Sequence, residues 1–326
     1  MKLQQLRYLC GVVQEDFNMS RAAETLGTSQ PAISKQLRLL ERELQVDLLL
    51  RRGNRILGLT VPGEAIIESA RRTLWETENL RRITSEFTKE NTGRLVIATT
   101  HTYARYVLGP MIKAFMQERP HVQLVLRQGT PSMVAEWVVT GEADLGISGR
   151  SNEMQDQLTF LPCTELKRSL YVPEGHPLLR QRTLTHARIA KYPLIMLDAD
   201  TEGGRTVRRS FEKARCKLNI VLSVLDADVA KTYVEMGLGV AVLLSVAYDG
   251  ERDGALRIAD ASRLFEPTVP QIVLHQGRYL TSSIYDFIQR MESQWSRPAI
   301  ENALLTSGRR ALRLKPASVR PIDANS

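Results

Sequence analysis

The sequence predicts a small, mainly α, winged helix-turn-helix, then one long helix, then a larger α/β domain. Three observations predict this. TSQPAISKQLR (28–38) opens a helix on polar residues and a proline, just after a short helix that ends at a glycine. LLLRRGNRILGLT (48–60) sets two apolar strands about a Gly-Asn turn, with three arginines around it. Beyond residue 91, β-branched apolar runs alternate with helical periodicity.

In chain order, Leu3, Leu6, Leu9, Val12 and Val13 mark a first amphipathic helix. Ser20 is expected to cap a short second helix, SRAAETLG, which stops at Gly27. Thr28 and Ser29 suit the cap of the third helix, because a side-chain oxygen there accepts a hydrogen bond from a free first-turn amide. Pro31 suits its first turn, where a missing N–H costs nothing. Ile33, Leu37, Leu40 and Leu44 form one apolar stripe and leave Gln30, Ser34, Lys35 and Arg38 on other sides of the cylinder. Taken alone, that helix reads equally well as an ordinary surface helix. The tight, Gly-containing link to the helix before it is what marks a helix-turn-helix. In that motif the second helix enters the major groove of DNA by its N-terminal end. Ser29, Gln30, Pro31, Ser34, Lys35 and Arg38 are therefore the candidate DNA contacts, with Arg51, Arg52 and Arg55 of the β-wing directed at phosphates. Residues 28–55 carry six Lys/Arg against three Asp/Glu, a local surplus that suits that partner.

Thr60 and Pro62 read as a cap and a first-turn proline for a helix over about 62–90. Its Ile67, Ala70, Leu74, Leu80, Ile83 and Phe87 are spaced like a short coiled-coil seam, broken around Thr77. Ile67, Leu74 and Leu80 are the candidate dimerisation residues; the competing reading is a helix packed on its own domain. Self-pairing is favoured because two recognition helices matched to a two-fold site roughly double the contacts.

After Asn91-Thr92-Gly93 the order is LVIAT (95–99), a helix over 104–118, VQLVLRQG (122–129), a helix over 131–140 and ADLGIS (143–148). A second unit follows: SLYVP (169–173), YPLIML (192–197), a helix over 203–215, NIVLSVL (219–225), a helix over 227–237 and VAVLLS (240–245). QIVLHQ (271–276) and a helix over 280–295 complete it. Repeated βαβ order predicts parallel sheets covered by helices. Ligands in such folds sit at strand carboxyl ends and helix N-termini. Thr100-His101-Thr102, directly after the first strand, is such a place, although on the residues alone plain N-capping is the better explanation of those threonines.

Composition fits this reading. The chain has 326 residues, 43% of them hydrophobic, enough for two or three domains. The formal charge is +8, but residues 297–326 alone hold six Lys/Arg against two Asp/Glu, so overall charge argues little for DNA. No apolar run approaches a membrane span, and no signal-peptide pattern opens the chain. Cys10, Cys163 and Cys216 are odd in number and scattered, as reduced thiols of a cytoplasmic protein would be. The five histidines show no metal-ligand spacing, and nucleophile-elbow, Walker and dinucleotide motifs are absent. No metal site and no enzyme activity are expected. A transport-type binding protein would account for residues 93–300 but not for the helix-turn-helix.

AAETLGTSQPAISKQLRLLERELQVDLLLRR and LTVPGEAII resemble the winged helix-turn-helix of LysR-type transcriptional regulators. MKLQQLRYL, IATTHTYARY (97–106), DADVAKTYVEMGLGVAV (226–242) and YDFIQR (285–290) narrow the resemblance to the CysB-like branch, which controls sulfur assimilation. The resemblance implies a DNA-binding domain at 1–59, a linker and dimerisation helix at 60–91 and an effector domain at 92–300. It also implies that the effector domain has two subdomains of periplasmic-binding-protein type. Subdomain I would span about 92–163 and 268–300, and subdomain II about 164–267, with crossings near 162–167 and 264–269. Residues 301–326 are expected to be a basic, flexible tail. The implied partners are an operator in double-stranded DNA, further copies of the chain as a dimer of dimers, and RNA polymerase. No cofactor is implied beyond a small effector, a sulfur-related anion or an acetylserine-like ligand.

Carried over residue by residue, the family's effector contacts fall on Thr100 and Thr102. Three positions depart from the pattern: Tyr103 replaces a Gln, Gly149 a Thr and Glu202 a Thr. A carboxylate opposes a dianion, so the departures argue against inorganic sulfate. Tyr103 is expected to add an aromatic face, Gly149 to open space, and Arg205 and Thr201 to compensate if the 201–206 loop is displaced.

Overall fold

A computed structural model describes residues 1–53, 55–87, 93–149 and 156–313. The chain forms two units, Met1–Lys89 and Glu90–Ser326.

In the first unit the apolar spacing closes a small helical core. α1 (Leu3–Gln14), α2 (Met19–Thr25) and α3 (Gln30–Leu44) bury Leu6, Leu9, Val12, Ala22, Ile33, Leu37 and Leu40 together. The cap of α2 is Asn18, whose side chain accepts from the Ser20 and Arg21 amides at 3.1 Å each, and not Ser20. Asp16 and Phe17, just before it, both take positive φ, and an Asn at the resulting turn is as good a cap as Ser. Ser29 caps α3, as its position suggests, accepting from Ala32. β1 (Leu49–Arg52) and β2 (Arg55–Leu59) pair antiparallel as the wing. Gly53 turns the chain at φ 62°, a left-handed value that favours glycine; Asn54 lies outside the described residues.

α4 runs over Val61–Phe87. Thr60 holds its start, accepting from the Gly63 amide and donating to the Asp47 carbonyl. A Cβ on Gly63 would overlap the Leu48 carbonyl, so only glycine lets the helix approach the wing this closely. The first half of α4 belongs to its own domain. Ile67 and Ala70 are fully part of the helical core and Leu74 packs against it, whereas Leu80 is 65% exposed. The competing reading of a helix packed on its own domain thus accounts for Ile67 and Leu74, and of the three expected seam residues Leu80 is the one left exposed. Periodicity cannot separate a seam from a core stripe.

The second unit contains two five-stranded sheets. In the first, β3 (Arg94–Thr99) lies parallel to β4 (Gln123–Gln128) and β5 (Leu145–Ser148), with α5 (His101–Tyr106), α6 (Gly109–Glu118) and α7 (Pro131–Thr140) between them. The single helix expected over 104–118 is thus two, parted at Val107-Leu108 ahead of Gly109-Pro110. β6 (Leu158–Pro162) completes this sheet; its short, mixed run gave no strand expectation.

The second sheet is built from β7 (Arg168–Pro173), β8 (Leu194–Leu197), β9 (Ile220–Val224), β10 (Val240–Leu244) and β11 (Leu256–Asp260), in the order β11-β7-β10-β8-β9. Around it lie α8 (His186–Ile189), α9 (Glu202–Lys213) and α10 (Ala227–Glu235). β11 was also unforeseen, since LRIAD has only three apolar residues. β12 (Gln271–His275) returns to the first sheet, antiparallel to β5 and β6. The two chain crossings meet at a bridge between Leu166 and Thr268.

α11 (Ser282–Met291) is followed by α12 (Arg297–Arg313), where a flexible tail was expected from 301. Ile300 is fully buried, and Ala303 and Leu304 pack on the first subdomain's core. Basic residues around these apolar positions hid the helix. Residues 314–326 of the expected tail lie outside the described residues.

Candidate functional site

Two surfaces bear on function, one in each unit. On the first, Ser29, Gln30, Pro31, Lys35 and Arg38 are exposed along the N-terminal part of α3, and Ser34 is half-buried beside them. Arg52 and Arg55 are exposed cross-strand partners in the wing. Arg51 is different. Its Nη1 lies 2.7 Å from Glu41 Oε2, while Glu41 Oε1 accepts from the amides of Leu48 and Leu49. Arg51 therefore balances a buried carboxylate that ties α3 to the wing, a contact its expected role at phosphates did not include, while remaining exposed like the other two arginines.

In the second unit a cavity of about 460 Å³ opens between the two sheets. α5, α7, α9 and α10 begin at its edge, with Thr100, Thr130, Thr201 and Asp226 as their N-cap residues. Thr130 caps with its hydroxyl. So does Thr201, which accepts from Gly204 and donates to the Asp198 carbonyl. The Thr100 hydroxyl makes no such bond and stays available to a ligand, with the half-buried Thr102 next to it. All six candidate effector residues, Thr100, Thr102, Tyr103, Gly149, Thr201 and Glu202, line the cavity.

Gly149, Glu202 and Tyr103 form one arrangement. A Cβ at Gly149 would overlap the Glu202 carboxylate, so Gly149 opens no free space: the first residue of α9 fills it. Burial raises the Glu202 pKa, and the nearby Arg168 and Arg205 hold it back. Tyr103 is 4% exposed and packs into the core of the first subdomain, so little of its ring is free as a binding face. Its hydroxyl is pushed far above the ordinary phenol range by burial and by the Glu202 charge. Arg205 is exposed and donates to the Asp200 carbonyl, and Thr201 is engaged as a cap, so neither takes the compensating role expected of it.

Arg168 was missed. It is the first residue of β7 and only 1% exposed, yet it lines the cavity. Its Nη2 donates to Thr268 Oγ1 at 2.6 Å, while Nε and Nη1 have no partner. Burial lowers its pKa, and Glu202 counteracts that. An arginine at the head of an apolar strand was the available signal, but sequence did not show it facing a cavity. The other approach of the subdomains is at the rim. Asp228 of α10 meets Arg105 at 3.0 Å, accepts from the Tyr106 hydroxyl, and lies 3.4 Å from His101 Nε2. Among the described residues, His101, Asp226 and Asp228 are the one trio with metal-ligand types in reach of each other. Asp226 already caps α10 and Asp228 already faces cations, so the trio is better explained as a clasp between α5 and α10.

Residues 3–64 match the family of bacterial regulatory helix-turn-helix proteins of the lysR type, and residues 88–296 match the LysR substrate binding domain. The chain is 41% identical to the HTH-type transcriptional regulator SsuR of Burkholderia cenocepacia, over 89% of this chain and 94% of that one. It is 39% identical to the regulator CysB of the same organism, over 93% and 97%. The cofactor-binding domain of the Cbl transcriptional regulator has a solved structure that superposes with a TM-score of 0.63 at 34% identity, covering 67% of this chain and 95% of that one. The chain belongs to the LysR family of helix-turn-helix transcriptional regulators, which bind DNA rather than catalyse a reaction.

Proposed function

We propose that this regulator controls genes of sulfur or organosulfur assimilation in response to a small effector held in the cleft of its second unit. The observation that carries the reading is the cavity itself: about 460 Å³, with the free Thr100 hydroxyl and the buried Arg168 guanidinium at its wall. The similarity to SsuR and CysB supplies the metabolic direction. The effector is a sulfur-bearing or acetylserine-like molecule with an organic part, since Glu202 disfavours a compact dianion and the cavity is larger than sulfate needs. Operator DNA is read by Ser29, Gln30, Pro31, Ser34, Lys35 and Arg38, and its phosphates by Arg52 and Arg55. Copies of the chain pair through the later half of α4 and associate as a dimer of dimers, with RNA polymerase as the partner in activation.

The test is operator binding by the full-length protein with and without sulfate, thiosulfate, adenylyl sulfate, acetylserines and sulfonates. At least one compound with an organic part is expected to shift the footprint or the affinity, and sulfate to do so weakly. Indifference to the whole panel would refute sulfur control.

A further inference from the structure

The charges around the cavity are unequal. Asp200, Glu202 and Asp226 line it against one guanidinium, Arg168. Asp226 is occupied with the Val229 amide at the start of α10. Glu202 is the carboxylate that reaches across, from the first turn of α9 to the backbone just past β5, into the space where a Cβ of residue 149 would stand. Arg168 stands in the same cavity, nine-tenths buried and more, with Nε and Nη1 paired to nothing.

Each group is incomplete in a way that specifies a ligand. A buried guanidinium with two unpaired nitrogens calls for an anionic acceptor, and a paired acceptor there is worth far more than at a surface. A half-buried carboxylate calls for a donor, best a cationic one. A compact dianion satisfies Arg168 but brings like charge against Glu202 and Asp200. A simple amine satisfies Glu202 and leaves Arg168 bare. A molecule carrying both charges completes the two groups at once.

We propose that Glu202, in the space left by Gly149, acts with Arg168 to make the cleft selective for a zwitterionic effector, whose ammonium Glu202 receives and whose sulfonate or carboxylate Arg168 receives. This rests on the reading of the cleft as an effector site, and names the chemical class that the site selects.

Matched pairs differing in a free ammonium test it: 2-aminoethanesulfonate against ethanesulfonate, and O-acetylserine against N-acetylserine, with sulfate as the compact dianion. Binding of each to the full-length protein and to Glu202→Gln is measured by calorimetry, and thermal melting checks that the variant is folded. In at least one pair the ammonium member is expected to bind the unmodified protein about tenfold or more tighter, the loss of one good charged contact. Glu202→Gln is expected to abolish that preference, weakening the ammonium member and strengthening sulfate. Equal binding within both pairs, tight sulfate binding by the unmodified protein, or a preference that survives in Glu202→Gln each overturns the proposal while leaving the cleft as an effector site. If no compound binds either protein, the proposal and the sulfur reading of the cleft both fall.

Discussion

Glu41 and Arg51 form a bridge between the recognition helix and the wing. The carboxylate is buried, accepts two amides at the start of β1, and meets the guanidinium at 2.7 Å. Arg51 is thus engaged with a buried acid, whereas the exposed Arg52 and Arg55 carry no such partner among the described residues. Arg52→Ala should weaken binding to operator and random duplex alike and lower the salt slope by about one phosphate contact. Arg51→Ala should instead cost about 1–2 kcal/mol of stability, since it leaves a buried acceptor short of a partner. Salt-dependent DNA titrations beside denaturant melts separate the two; identical behaviour of the two variants would remove the distinction.

The exposed polar residues at the start of α3 should carry sequence preference. Gln30→Ala is expected to lower affinity for the operator by roughly 1–3 kcal/mol while leaving random-duplex binding almost unchanged. Ser29→Ala is expected to act differently, because Ser29 caps α3 through the Ala32 amide. It should lose about 1 kcal/mol of stability as well. Equal losses on operator and random DNA for Gln30→Ala would exclude base reading.

On α4 the informative position is Leu80. It is 65% exposed, whereas Leu74 packs on the helical core and Ile67 lies inside it. A charge at Leu74 would therefore unsettle folding and assembly together. Leu80→Glu should leave the melting temperature of the first unit almost unchanged while sedimentation shows smaller species, since burial of an unpaired carboxylate opposes pairing. Unchanged oligomers in Leu80→Glu would place the principal self-contact elsewhere.

The parts of this molecule that follow from local rules were legible in the sequence. Ser29 ahead of Pro31, the stripe Ile33, Leu37 and Leu40, and the alternation of strands and helices each depend on a few adjacent residues, and the structure has them where local chemistry puts them. What escaped depends on contacts distant in sequence. Ile67 looks the same in a seam and in a core. Glu41 looks like a surface acid until β1 folds over it. Arg168 and Thr268 are a hundred residues apart yet share a hydrogen bond in the cleft. Gly149 and Glu202 were each noticeable as departures, but that one makes room for the other is visible only in three dimensions.

That last pair gives a pH dependence whose direction is fixed. Glu202 faces Arg168, Arg205 and the Tyr103 hydroxyl; burial raises its pKa and the two arginines only temper the rise. The folded chain therefore holds the proton more tightly than the unfolded one. The stability this supplies is complete below the ordinary carboxylate value of 4.5 and is lost as pH rises through the higher folded-state value. Glu202→Gln keeps a neutral side chain throughout. From about pH 4 toward neutrality the unmodified protein should thus lose stability relative to Glu202→Gln, with the two closest at the acid end. Sulfate affinity should follow the same curve, rising on acidification in the unmodified protein by more than in the variant. Denaturant midpoints and calorimetry over that range measure both, and parallel pH profiles for the two proteins would show that the Glu202 charge does not govern the cleft.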